Sequence, residues 1–288
     1  MLRGLYTAAS GMIAQQRRHD TVTNNIANLN TPGFKAMNAM TRAFPDMLIS
    51  AMGGDHIRSG TVGRLSTGAF AEENLLSMLQ GDLTETNRPQ DLALVSDLLV
   101  DGAFFDASGK YLDPEGNLTY QPQALFTVMG PNGERQYTRD GSFKTAEDGT
   151  LLTSDGVPVL GVDGQPIQLN GSWEDIAVSA SGVLYSKALN EPLPGSPQLL
   201  ITVVNNPNEL VRGGNGRFRY TGEPAGIRQA GANDRIQVQQ GYLERSNVDP
   251  SQSMVDLMAA LRAYEANQKV IQTYDTSLGK AVNEVGKV

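Results

Sequence analysis

From Asp249 to Val285 the chain reads DPSQSMVDLMAALRAYEANQKVIQTYDTSLGKAVNEV. Asp249 suits a helix N-cap, Pro250 the first helical position and Gln252 the third, which together make a capping-box pattern. No proline follows Pro250. A helix is therefore expected from about 250 to 285, roughly 50 Å long at ~1.5 Å per residue. Along it Met254, Leu257, Leu261, Tyr264, Gln268, Ile271, Asp275, Leu278, Val282 and Val285 are spaced 3 and 4 in alternation. That is the a/d seam through which one helix sends apolar knobs into the holes of another. A helix of this length needs a partner along most of it.

The same spacing recurs at the other end. Leu2, Leu5, Ala9 and Met12 continue through Gln16, His19 and Thr23 to Ile26. This predicts a helix over about 2–29, roughly 40 Å long. It closes in Asn24-Asn25-Ile26-Ala27-Asn28-Leu29-Asn30-Thr31-Pro32-Gly33-Phe34-Lys35. Asparagine tolerates the left-handed conformation, Pro32 cannot continue a helix and Gly33 permits the turn. Four asparagines between positions 24 and 30 exceed what a helix stop requires.

Between the helices the signal is β. Asp-Gly occurs at 101–102, 140–141, 148–149, 155–156 and 163–164, and Asn-Gly at 132–133, 170–171 and 215–216. These pairs supply the positive φ angles of hairpin turns. They separate short apolar runs such as Ala124–Met129, Gly156–Leu160 and Leu199–Val204. The stretch 35–90 is less defined: Phe44-Pro45-Asp46-Met47-Leu48 opens like a short helix, and Gly53-Gly54 breaks it. The expected class is α+β, a mostly antiparallel β body with long N- and C-terminal helices forming a coiled-coil-like core. The segments are 1–35 (first helix and Asn-rich turn, one part of the core domain), 36–90 (extended or irregular connector), 91–240 (β-rich outer body) and 241–288 (last helix, the other part of the core).

Composition narrows the function. The 288 residues are 40% apolar, enough for a core, and carry a net charge of −8. That charge argues against nucleic acid, whose phosphates require clustered Lys and Arg. The chain has no cysteine, so disulfides and thiolate metal sites are excluded. This also fits a protein working outside the reducing cytoplasm. No stretch approaches the ~18 apolar residues of a membrane span. The start imitates a signal peptide but lacks a continuous apolar region, so export would need another route.

The inventory for catalysis is thin. His19 and His56 lie in different segments without ligand spacing to other His or Cys, and His19 falls on the helix seam. Ser277-Leu278-Gly279-Lys280 matches Ser-x-x-Lys but lies inside the last helix. Gly213-Gly214-Asn215-Gly216 does not open a helix, so it reads as a loop and not a phosphate cradle. Asp113-Pro114-Glu115-Gly116-Asn117 offers oxygen ligands for calcium, but an ordinary solvated turn fits better. No cofactor and no catalytic or metal residue is expected. The seams themselves allow two readings, an intramolecular helix pair or packing among copies. Gln16, His19 and Thr23 on the first seam, and the small residues Ala8, Gly11 and Ala14 on another face, favour assembly.

The blocks Met1–Met12, Asn24–Asn28 and Thr31–Lys35 resemble the N-terminal signature of bacterial flagellar rod and hook proteins. Gly81-Asp82-Leu83-Thr84-Glu85-Thr86-Asn87, Asp91-Leu92-Ala93-Leu94-Val95 and Tyr137-Thr138-Arg139-Asp140-Gly141-Ser142-Phe143 follow in family order. Gln240–Asp249 and Arg262-Ala263-Tyr264-Glu265-Ala266-Asn267 complete it. The type is that of the FlgF/FlgG rod proteins, and Arg42-Ala43-Phe44-Pro45 resembles the FlhO/FlhP paralogues of Gram-positive bacilli. The resemblance implies a non-enzymatic structural subunit, exported by the flagellar apparatus without a cleaved signal. It implies partners that are further copies and other rod or hook proteins, with terminal helices forming the core of a tube that transmits torque. With the seam positions Leu2, Leu5, Ala9 and Met12 it places the expected subunit contacts on the first helix, and it adds the Asn-rich segment, Asn24, Asn25, Ile26, Asn28, Pro32, Gly33 and Phe34, as the place where subunits interlock. On the last helix the contacts are Met254, Leu257, Leu261, Tyr264, Ile271, Leu278 and Val282. Residues 106–123 depart from the family pattern and read as an inserted loop on the body. Two alternatives share fewer features: a hook subunit, and a secreted glycan-acting enzyme, for which no carboxylate pair is evident.

Overall fold

The computed structural model describes residues 2–50, 61–98, 104–106, 109–169, 171–231 and 234–285. It is a mixed α and β structure with two long helices and many antiparallel strands. The chain forms two compact units. One contains Met1–Ala27, Met37–Leu75 and Asp249–Val288; the other contains Asn28–Ala36 and Leu76–Val248.

In the first unit, α1 spans Leu2–Ala27 and α2 spans Pro250–Lys280, followed by a π turn over Ala281–Val285. Asp249 caps α2 as its residue type suggests, its Oδ1 accepting from Ser251 N at 2.8 Å and Gln252 N at 3.1 Å. The Gln252 side chain donates forward to Asp256 Oδ2 at 3.2 Å, so the reciprocal half of the capping box is absent. The helices run antiparallel and pack on each other. Gly4 lies against Tyr274, Gly11 lies against Asn267, and Arg18 Nη2 reaches Asp256 Oδ1 at 2.7 Å.

The expected short helix at 44–48 is instead part of a β ribbon. Thr41–Ala43 pairs with Ala69–Ala71, and Met47–Ser50 pairs with Thr61–Leu65, both antiparallel. Cross-strand pairing with a segment some twenty residues away satisfies this backbone, which overrides the local proline signal. The Gly53-Gly54 break lies outside the described residues. The ribbon is tied to α1 by Thr7 Oγ1 donating to Thr67 O at 3.1 Å and Asn74 Nδ2 donating to Thr21 Oγ1 at 3.0 Å.

The second unit is built on a six-stranded antiparallel sheet in the order Leu210–Gly214, Arg217–Tyr220, Arg135–Thr138, Gln123–Met129, Ile201–Val204, Ile227–Gln229. Alternation along the central strand sends Ala124, Phe126 and Val128 to one face and Leu125 to the other. The first group joins a large core with Leu92, Leu94, Phe143, Leu151, Ile176 and Val203. The second face makes a smaller core with Met78, Tyr137, Val204, Leu210 and Phe218. Trp173, the chain's single tryptophan, is buried in the large core and donates its indole N–H to Thr145 Oγ1 at 2.7 Å.

Most described Asp-Gly and Asn-Gly pairs form tight turns, with Asn215 (φ 49°) and Gly216 (φ 70°) supplying two consecutive positive φ angles. Asp140-Gly141 does something else. Gly141 O accepts from Leu92 N at 3.0 Å, and a β-carbon at 141 would collide with Leu92 O. Glycine is required there for a close approach between segments and not for a turn. Within residues 106–123, Lys110–Leu112 and Leu118–Tyr120 form a separate two-stranded hairpin.

Candidate assembly surface and a buried anchor

The helix stop after α1 turns into the second unit. Gly33 adopts φ 65° and donates its N–H to Glu244 O at 2.8 Å; a side chain here would strike the Arg139–Asp140 backbone. Phe34 follows, buried beneath the Arg212 guanidinium, which stands 4.1 Å from the ring centroid and donates to Lys35 O at 2.8 Å. Lys35 then enters the interior. Its Nζ donates to Glu244 Oε1 at 2.6 Å and to Leu79 O at 2.7 Å. Arg139 Nε meets the other carboxylate oxygen, Oε2, at 2.7 Å, and its Nη1 donates to Ala124 O at 2.6 Å. Gly81 N–H, donating to Oε1 at 2.9 Å, is the third donor to the carboxylate.

One carboxylate thus bridges two cations, and all three side chains are 1% exposed. Burial pushes the Lys35 ammonium down from 10.5 to about 8; the Arg139 charge acts in the same direction, and Glu244 opposes both. Burial also works to raise the Glu244 carboxyl. The charges of Arg139 and Lys35 and the hydrogen bonds from Lys35 and Gly81 outweigh it and hold the group below its ordinary value.

Three of the participants were not singled out by sequence pattern: Lys35, Arg139 and Glu244. Each sits in a block quoted above for resemblance, and the blocks around residues 35, 81, 139 and 244 meet at this one point. No periodicity marks a lone charged residue in a core.

The first unit carries the helix faces. Of the sequence-selected α2 positions, Leu257, Tyr264, Ile271 and Leu278 are half-buried. Met254, Leu261 and Val282 are exposed, by 57%, 42% and 70%. The positions between the half-buried four are filled by Ser253, Ala260, Asn267 and Tyr274, one residue earlier than Met254, Leu261, Gln268 and Asp275. The 3/4 spacing is kept, but alternate members shift by one. The glycines of α1 make the room on this face: Gly4 receives Tyr274 and Gly11 receives Asn267. Val255 and Met258 are exposed beside Met254 and Leu261, leaving an apolar stripe on the outer side of α2.

On α1, Leu5, Ala9, Met12 and Ile26 are half-buried, while Tyr6 and Ile13 are exposed. Leu2 is helical in its backbone. Asn24 is exposed. Asn25 is buried and clamps Met37 from both sides, accepting from its N–H at 3.0 Å and donating to its carbonyl at 2.8 Å. Asn28 Oδ1 accepts from Thr31 Oγ1 at 3.1 Å, and Pro32 is half-buried at the turn. Leu2 through Ile26 and the α2 residues therefore belong to one unit, and Asn28, Pro32, Gly33 and Phe34 to the other.

The features weighed for chemistry sit in ordinary surroundings. His19 Nδ1 lies 3.6 Å from Asp20 Oδ1. Ser277 and Lys280 lie in the last turns of α2, and His56 lies outside the described residues. Asp113 Oδ1 accepts from Glu115 N at 2.9 Å and Asn117 N at 2.8 Å, which occupies it in a turn. Among the described residues no group of three or more His, Cys, Asp or Glu could hold a metal ion, and no helix is long and apolar enough to cross a membrane.

Comparison with known proteins agrees with this geometry. Residues 5–35 match the family model for flagella basal body rod proteins, and residues 239–284 match the flagellar basal body rod FlgEFG protein C-terminal model. Residues 121–186 match the flagellar hook protein FlgE/F/G D1 domain. The flagellar hook-basal body complex protein FlhO of Bacillus subtilis is 34% identical, with 100% of both chains covered. The flagellar basal-body rod protein FlgG of Borreliella burgdorferi is 34% identical over 98% of each chain. The flagellar basal-body rod protein FlgF of Rhizobium meliloti is 30% identical over 99% of each. The N-terminal and C-terminal models meet the two arms of the buried anchor, Lys35 and Glu244, and with full-length relatives at this identity the chain belongs to the flagellar basal-body rod FlgEFG family of structural, non-enzymatic proteins.

Proposed function

We propose that this chain polymerises through its terminal helices into the core of a rod that carries torque between motor and hook. The observation that carries the reading is the apolar stripe Met254, Val255, Met258 and Leu261. It lies on α2 beside the face already occupied by α1, and it is left exposed. A single copy thus satisfies one face of α2 and presents a second. Tyr6 and Ile13 give α1 exposed apolar side chains of its own. Burying such positions in a neighbour contributes about 25 cal/mol per Å² of apolar surface, repeated at every subunit. The coiled-coil-like core expected from the seams is then a property of the assembly, with α1–α2 as its building block. Further copies and other rod or hook proteins are the partners. Passage through the flagellar export apparatus without a cleaved signal belongs to the same reading and rests on family membership.

The test is Met258→Glu with Leu261→Glu in the full chain, in place of the wild-type copy. Swimming and basal-body completion are expected to be lost while the purified variant keeps its helical circular dichroism. Normal swimming by this variant would sink the reading.

A further inference from the structure

The hairpin Lys110–Leu112/Leu118–Tyr120 has no third strand among the described residues. An isolated hairpin is marginal in water, yet this one is firmly built. Asp113 fixes the turn through two backbone N–H groups and the Asn117 amide at 2.9 Å. Asp106 Oδ1 accepts from Lys110 N at 2.9 Å, and Phe105 meets Tyr111 edge-on at 6.4 Å. What it presents is apolar: Leu112 and Leu118 stand directly opposite each other, 64% and 48% exposed. Around them Asp106, Asp113 and Glu115 outnumber Lys110.

The complementary surface lies on the same unit's main sheet. Leu210–Gly214 is one of its two outer strands. There Val211, 41% exposed, pairs with exposed Arg219. The segment 210–220 contains Arg212, Arg217 and Arg219 and no acidic residue. Arg212 is engaged with Phe34 and Lys35, and Arg217 pairs with Asp155 at 3.2 Å. Arg219 forms no ion pair among the described residues. The register shift between Arg212 and Gly214 bends the edge and blunts backbone pairing, so a docked partner would be held by side chains.

We infer that the hairpin of one copy docks on the Val211–Arg219 edge of a second copy of this chain, Leu112 and Leu118 covering Val211 and Glu115 facing Arg219. Opposite charge, and an apolar pair on the hairpin facing exposed Val211 on the edge, select this occupant. Because hairpin and edge are different surfaces, the contact is head-to-tail and propagates. It deepens the assembly reading, on which it rests, by adding a body-to-body contact to the one between helices.

The chain has no cysteine, so cross-linking is clean. Full-length chain carrying Leu118→Cys and Val211→Cys is expressed in place of the wild-type copy, oxidised in cells and blotted. A ladder at multiples of one chain is expected, with neither single variant giving one. An internally bridged single chain, or swimming cells with no bridge, overturns the contact. A second arm uses self-association of the purified chain. Glu115→Arg and Arg219→Glu alone are each expected to weaken it about two- to fivefold, and together to restore it. Absence of rescue overturns the contact even where the cysteine chain fails to assemble. Assembly without a ladder removes this contact only; a wild-type chain that never self-associates removes the assembly reading as well.

Discussion

Lys35 Nζ and Glu244 Oε1 lie 2.6 Å apart, and each side chain is 1% exposed. Removing one partner of such a pair leaves an uncompensated charge in a low-dielectric site, which costs about 3–5 kcal/mol. Glu244→Gln leaves both Lys35 and Arg139 without a counter-charge. It is expected to destabilise the second unit by that amount, read by Trp173 fluorescence in a urea titration. A midpoint unchanged from wild type would show that the carboxylate is not carrying the site.

The anchor also sets a pH response. The Lys35 pKa is lowered from 10.5 to about 8, so between those values the unfolded chain binds more protons than the folded one. Its contribution to stability is therefore lost as pH falls through 8 and complete above 10.5, at most about 3 kcal/mol. Tyr220, whose hydroxyl burial and Glu209 push up to about 12, acts oppositely only above 10. Stability of the second unit should rise from pH 8 to 10, and Lys35→Met should flatten the rise. The same slope in the variant would assign it elsewhere.

Leu261→Asp and Ile271→Asp are expected to part company. Leu261 is 42% exposed, so its replacement should shift monomer stability by about 0.5 kcal/mol or less. Ile271 is half-buried on the face that α2 turns to α1, and its replacement should cost about 1–3 kcal/mol. Both should impair assembly. Helical circular dichroism on heating separates them, since the long helices lie in the first unit.

A fragment of residues 28–248 should fold, whereas 76–248 should be markedly weaker. The shorter piece keeps both sheet faces but lacks Gly33, Phe34 and Lys35, and so leaves Arg139 as the one cation on Glu244, beside the Gly81 N–H. Equal urea midpoints would mean that residues 28–36 are carried passively.

The helix positions, the Asp249 cap and the antiparallel strands were legible because each rests on local chemistry and period. The α2 face was legible only in its period. The seam was assigned to Met254 and Leu261, which are exposed, whereas the buried positions are Ser253 and Ala260 and the residues that meet α1 include Asn267 and Tyr274, whose room comes from Gly11 and Gly4. Lys35, Arg139 and Glu244 were out of reach for a different reason. Their partners lie across the fold, and a buried polar group leaves no periodic trace.

Lys35 and Glu244 are 209 residues apart in sequence. The anchor therefore closes only after almost the entire chain is available, and it is among the non-local contacts whose loop closure must be met before they are rewarded. A chain that stops short of residue 244 would hold two cations with nothing to receive them, and its segment 28–36 would stay open to proteases. Chain completeness is thereby read out as protection of a site near the beginning.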